Sequence, residues 1–115
     1  MGISEINVVQ LEQKRNAGET FVLLDVREPH EVAVANLGDE VALAPMSELA
    51  RIGLDALTET IRNDQDQEIV VMCHHGGRSA QVTAWLQGNG WTNVTNLAGG
   101  IHAYSVHIDS SIPRY

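Results

Sequence analysis

One run of seven residues, Cys73-His74-His75-Gly76-Gly77-Arg78-Ser79, carries the side-chain types that do covalent chemistry. A thiol becomes a strong nucleophile only when it ionises, and helix N-termini and neighbouring cations favour that ionisation. The run follows the apolar stretch Ile69-Val70-Val71-Met72 and precedes a segment with Val82, Trp85 and Leu86 at helical spacing. The cysteine is therefore expected at a strand end, and the residues after it at a helix start. Two adjacent glycines permit backbone angles that other residues resist, so successive N–H groups can turn inward as an anion nest. The helix dipole adds partial positive charge at the same place. Ser79 has the type of a helix N-cap, and Arg78 supplies a planar cation. A lone cysteine after an apolar strand is ordinarily an inert small hydrophobe. A purely structural connection, however, needs one glycine and a cap, not two histidines, two glycines and an arginine. Cys73 is thus read as the nucleophile. His74, His75, Gly76, Gly77 and Ser79 are read as a bowl holding one extra anionic atom or group above the sulfur.

The elements that must hold this loop follow an alternating pattern. Residues 3–6 are expected as a short strand, and Asn7 as the N-cap of a helix over Val8–Ala17 that stops at Gly18. Phe21–Asp25 is a continuous apolar run ended by an acid, as in a strand buried on both faces. Pro29 opens a short helix with Glu31, Val32 and Val34. Val41–Leu43 reads as a strand, Ser47-Glu48 as a helical turn, and Leu54–Arg62 as an amphipathic helix. Glu68–Met72 is a strand, Ser79–Gln87 a helix, Val94–Leu97 a strand and Ile101–Val106 a last helix. Asp109–Tyr115 is the segment expected to fray. Strand–helix alternation argues for an α/β fold: a mostly parallel sheet of about five strands between two helical layers, in a single domain over 1–115. In such sheets the site lies at the carboxyl ends of the strands, where Cys73 falls.

The totals narrow the partners. The chain has 115 residues, 43% of them hydrophobic and 19% charged, which suits one globular domain. The formal charge is −8. An acidic surface repels phosphate backbones and anionic lipid, so nucleic acid and membrane are not expected partners. It also works against small anions, so any anion site must be built locally. The one cysteine excludes an internal disulfide and fits a reducing, cytoplasmic setting. The start MGISEINVV lacks the basic and apolar runs of a signal peptide, and no apolar stretch has the length of a membrane span.

The loop resembles the active-site loop of the rhodanese superfamily, whose pattern is roughly C-x-x-G-x-R-S. LLDVREPHE (Leu23–Glu31) is similar to the family's first signature, a strand ending in D-V-R. LAGGIHAY (Leu97–Tyr104) is similar to its closing L-x-G-G-x-x-A-W. The three occur in the family's order and cover nearly the whole chain. The resemblance implies a three-layer α/β/α rhodanese-like fold and sulfur transfer without a cofactor. Cys73 would carry sulfane sulfur as a persulfide, taken from thiosulfate or another persulfide and given to a thiophilic acceptor. It implies that Arg78 orients or closes the loop, and that Asp25 and Arg27 brace it from behind. Four residues separate Cys73 from Arg78. The related dual-specificity phosphatases have one more, so the shorter loop suits a single sulfur better than a tetrahedral oxyanion. The chain departs from the family at Asn36-Leu37-Gly38-Asp39-Glu40, which lacks the usual histidine and proline, and at Tyr104, which replaces tryptophan. The loop also lacks the lysine or second arginine of strong thiosulfate users, so a protein persulfide is the expected better donor. DSSIPRY (Asp109–Tyr115) resembles the end of rhodanese domains attached to ubiquitin-activating-like enzymes, which implies a sulfur-accepting protein as a further partner. Its plain structural role would be a tail packed on the first helix. The alternative from another class is a sulfide-carrying or regulatory binding module using the same bowl without turnover. A monomer is expected.

The remaining candidates read as structural. Consecutive residues of a loop, such as Cys73, His74 and His75, do not ordinarily converge on one ion, and no second cluster completes four ligands, so no metal is expected. His30, His102 and His107 are expected at the surface. Asp25 is expected to pair with Arg27 or Arg78, and Trp85 and Trp91 to belong to the core.

Overall fold

The computed structural model describes residues 2–115; position 1, where the expected domain begins, lies outside the described residues. The chain runs β1 (Glu5–Ile6), α1 (Val8–Asn16), β2 (Val22–Asp25), α2 (Pro29–Val34), β3 (Ala42–Leu43), α3 (Met46–Ile52), a 3₁₀ turn (Gly53–Ala56), α4 (Glu59–Arg62), β4 (Ile69–Met72), α5 (Gly77–Gly88), β5 (Val94–Leu97) and α6 (Gly100–His107). The strands form one five-stranded sheet in the order β1-β5-β4-β2-β3. Every pairing is parallel. The sheet is therefore wholly parallel, as buried strands joined by helical crossovers require.

Side-chain alternation decides which face each residue serves. In β4, Ile69 and Val71 face one apolar layer with Leu24, Val82 and Leu86, and Cys73 continues that series just past the strand. Val70 and Met72 face the other layer, with Leu11 of α1 and Ile101 and Tyr104 of α6. All four residues of β4 are buried. Burying a side chain of this kind contributes about 1.5–3 kcal/mol, and β4 lies in the middle of the sheet with helices on both faces. The carboxyl end of β4 is thus held by apolar packing on both faces of the sheet.

Local signals act as their types predict in several places. Asn7 caps α1 in a reciprocal capping box with Gln10, each side chain accepting from the other's backbone N–H at 2.8 Å. Pro29 occupies the first turn of α2. The expected helix over Leu54–Arg62 is instead split. Leu57 takes an extended backbone (ψ 149°) between the 3₁₀ turn and α4, which buries both Leu57 and Ile61 against the sheet. α5 begins at Gly77 rather than at Ser79. The tail does not fray: Ile112 joins the apolar layer of α1 and α6, and its carbonyl accepts from Ser105 Oγ at 2.6 Å.

Candidate active site

The loop after β4 is shaped from both sides. Gly76, not Ser79, is the N-cap of α5, and it takes the left-handed backbone (φ 106°) that only glycine adopts without strain. That turn points its amide back at the cysteine: Gly76 N donates to Cys73 Sγ at 3.1 Å. Ser79 lies one turn into the helix. Its N–H donates to Cys73 Sγ at 3.3 Å, and its Oγ lies 3.3 Å from the same sulfur. The loop carbonyls face the other way, towards α6. Ile101 N donates to Cys73 O and His102 N to His74 O, each at 3.0 Å. This close docking requires Gly100, where a Cβ would stand 2.5 Å from both carbonyl oxygens. Amides turned inward and carbonyls turned outward make the nest that paired glycines permit.

The sulfur is nearly closed off, since Cys73 is 1% exposed. Its nearest polar atoms are donors at the N-terminus of a helix. Donors at the N-terminus of a helix are the type of partner that accommodates an anionic atom.

Behind the loop stands a chain of ion pairs. Arg78 turns its guanidinium to Glu31 of α2 in a two-pronged pair at 2.7 and 2.8 Å. The Arg78 hydrogen bonds hold the Glu31 carboxyl down at about 2, against the opposing effect of burial. Glu31 in turn keeps Arg78 firmly protonated. Arg27, fully buried, pairs with Asp25 at 2.8 Å and donates to Ala35 O at 2.7 Å. Burial opposes its charge, but the hydrogen bonds with Asp25 and Tyr115 outweigh it. Tyr115 ties the groups together: its hydroxyl accepts from Arg27 at 2.8 Å and donates to Glu31 at 3.1 Å. Its ring stacks on His74 at 3.8 Å between centroids. Burial pushes His74 below the ordinary histidine value.

Comparison with known proteins agrees with this geometry. A family model for the rhodanese-like domain matches residues 7–107. The chain belongs to the rhodanese-like domain family. It is 43% identical over 93 residues to the rhodanese-like/PpiC domain-containing protein 12 of Arabidopsis thaliana, covering 81% of this chain but spanning only 30% of that protein. It is 33% identical over 105 residues to a protein of Allochromatium vinosum named sulfurtransferase, covering 91% of each. Among solved structures, a rhodanese-related protein of Thermoplasma volcanium superposes with a TM-score of 0.71 at 30% identity, over 96% of this chain and 95% of the other.

Within this rhodanese-like domain, the structure gathers Cys73, Gly76 and Ser79 at the sulfur. It gives Ser79 a different place from the expected cap, because the helix starts two residues earlier. Gly77 opens α5. Arg78 is beside the loop, with its guanidinium turned towards Glu31 rather than hydrogen-bonded to the sulfur. Asp25 and Arg27 pair with each other below the loop, the structural role expected of Asp25. His75 is exposed and His74 half-buried. His30 and His107 are exposed, but His102, expected at the surface, is half-buried, with its ring centroid 4.8 Å from that of His75. Three residues were not picked out from the sequence: Glu31, Tyr115 and His102. Glu31 ends the run Leu23–Glu31 and was legible only as part of that motif. His102 and Tyr115 likewise lie within the runs Leu97–Tyr104 and Asp109–Tyr115, and no local spacing marked either as a neighbour of the loop. The tail packs through Ile112 on the apolar layer that includes the first helix, as expected, and it also sends its last residue to the active-site loop.

Proposed function

We propose that this protein is a sulfurtransferase that carries sulfane sulfur as a persulfide on Cys73. The observation that carries the reading is the sulfur at the end of β4 accepting from Gly76 N and Ser79 N at the start of α5. Relatedness to the Allochromatium protein named sulfurtransferase supports it. In the first half-reaction the Cys73 thiolate attacks the outer, sulfane sulfur of a donor. With thiosulfate, a Cys73 Sγ–S bond forms, the S–S bond of thiosulfate breaks, and sulfite leaves with the electron pair. In the second, an acceptor thiolate or cyanide attacks the terminal sulfur. The Sγ–S bond breaks, and its electron pair returns to Cys73. The inward amides serve both halves, since each begins or ends with negative charge on sulfur.

Arg78 acts by position. Fixed to Glu31, it places a permanent positive charge beside the thiolate without binding it, and it keeps the start of α5 against α2. With a net charge of −8, the surface favours a donor delivered by a protein persulfide over free thiosulfate. A sulfur-accepting protein is the matching acceptor, and the single thiol suits a reducing compartment such as the cytoplasm. Among the described residues no helix is long and apolar enough to cross a membrane. The test is single-turnover sulfite release from thiosulfate, run beside persulfide consumption from a protein donor. The wild type releases stoichiometric product with both, faster with the protein donor, and Cys73→Ser releases none. Product formation by Cys73→Ser at the wild-type rate would sink the proposal.

A further inference from the structure

Two consecutive histidines in a loop do not normally share an ion, but the fold brings a third to them. The cause lies in the backbone. His102 N donates to His74 O, so the first turn of α6 is seated on the loop and the His102 ring is delivered beside the pair. The ring centroids of His74 and His75 are 3.9 Å apart, and those of His75 and His102 are 4.8 Å apart. One ring nitrogen from each of the three lies within 4.8 Å of the others. Two of the ring nitrogens, His74 Nε2 and His102 Nδ1, are shielded from solvent and have no hydrogen-bond partner. A shielded ring nitrogen without a partner is costly, and it leaves a lone pair or N–H available within the cluster.

The geometry points to a site for one divalent transition-metal ion, of the zinc, copper or nickel class, held by His74, His75 and His102. Imidazole nitrogen is the donor these ions prefer, and three imidazoles with one open position is a known zinc arrangement. Metal–nitrogen bonds of about 2.0–2.1 Å place neighbouring donors closer together than they are here, so the rings must close inward. His75 is exposed and free to turn, and its ring is already inclined by 31° to that of His74. His74 is held in place by its stacking on Tyr115, with 6° between the planes. The overall charge of −8 favours a cation over an anion. An ion there would clasp the loop to α6 and stop it lifting away from Cys73. The site does not require Cys73 to carry sulfur, so it stands or falls separately from the transferase reading.

The test uses the full chain carrying Cys73→Ser, which removes thiolate as a competing ligand. Co²⁺ and Zn²⁺ are titrated by calorimetry, and the d–d absorption of Co²⁺ reports the coordination. One ion per chain binds, with a four-coordinate cobalt spectrum, and His102→Ala on that background weakens binding roughly tenfold or more. His75→Ala, at an exposed position, weakens it similarly without touching the core. Equal binding by the parent and both histidine variants, or no binding by the parent, would overturn the site.

Discussion

At the scale of single residues, two amide donors and one hydroxyl converge on one sulfur, and each does a separable share of the work. The amides of Gly76 and Ser79 cannot be removed by side-chain substitution, but the Ser79 hydroxyl can. A hydrogen bond to a charged atom contributes about 1.5–3 kcal/mol, and every 1.4 kcal/mol is tenfold in rate. Ser79→Ala should therefore slow persulfide formation by roughly tenfold while leaving the fold unchanged, measured by single-turnover sulfite release. The contact is at 3.3 Å, which places the effect at the low end of that range. Asp25 and Arg27 form the buried pair beneath the loop, and removing one partner leaves the other charged and unpaired. Asp25→Ala should cost about 3–5 kcal/mol of stability in denaturant titration, far more than a surface substitution. The thiol and its loop were legible in the sequence because they are contiguous. The role of Ser79 was not, because the helix boundary depends on the backbone angle of Gly76 rather than on the type of Ser79.

At the scale of elements, α2 and α5 are joined by the pair between Glu31 and Arg78. The Glu31 carboxyl falls from 4.5 to about 2 on folding, mainly through the Arg78 hydrogen bonds. A depressed carboxyl stabilises the fold above its unfolded value, and this contribution is lost as pH falls through its folded value. Thermal melting midpoints should therefore drop between pH 4.5 and about 2 in the wild type. Glu31→Gln should melt lower at pH 7 and show a shallower decline over that window. A wild-type and variant pair with parallel curves would remove this pair from the account. The strands β2, β4 and β5 were legible because runs of apolar residues bounded by polar loops suit sheets covered on both faces. The segment from Gly53 to Arg62 was not, since Leu57 and Ile61 reach the core together only after a break that helical periodicity does not announce. Glu31, His102 and Tyr115 share the same limit. They meet the loop through tertiary contacts, as Tyr115 and Glu31 do across 84 positions, and no local pattern encodes such distances.

At the scale of the whole molecule, the acidic surface works against the approach of a small dianion such as thiosulfate. The donors at Cys73 act over one or two bonds, whereas a net charge of −8 acts at the distance of approach. Salt screens the second and leaves the first, with a Debye length of about 10 Å at 0.1 M. The kcat/KM for thiosulfate should thus rise a few-fold between low salt and about 0.15 M, measured by initial rates at constant pH. A fall over the same range would show that a local positive field, not the net charge, governs entry. The parallel sheet and its helical layers followed directly from strand–helix alternation. The seating of α6 on the active-site loop did not, because it depends on Gly100 bringing two backbones into contact.

The proposed chemistry requires that a thiol surrounded by inward-facing N–H groups take up one sulfur and hold it. Intact-mass measurement after incubation with a persulfide donor, before and after reducing agent, tests it most directly. The account predicts a gain of one sulfur atom per chain, reversed by the reductant and absent in Cys73→Ser. An unchanged mass with thiosulfate and with every persulfide donor would contradict it.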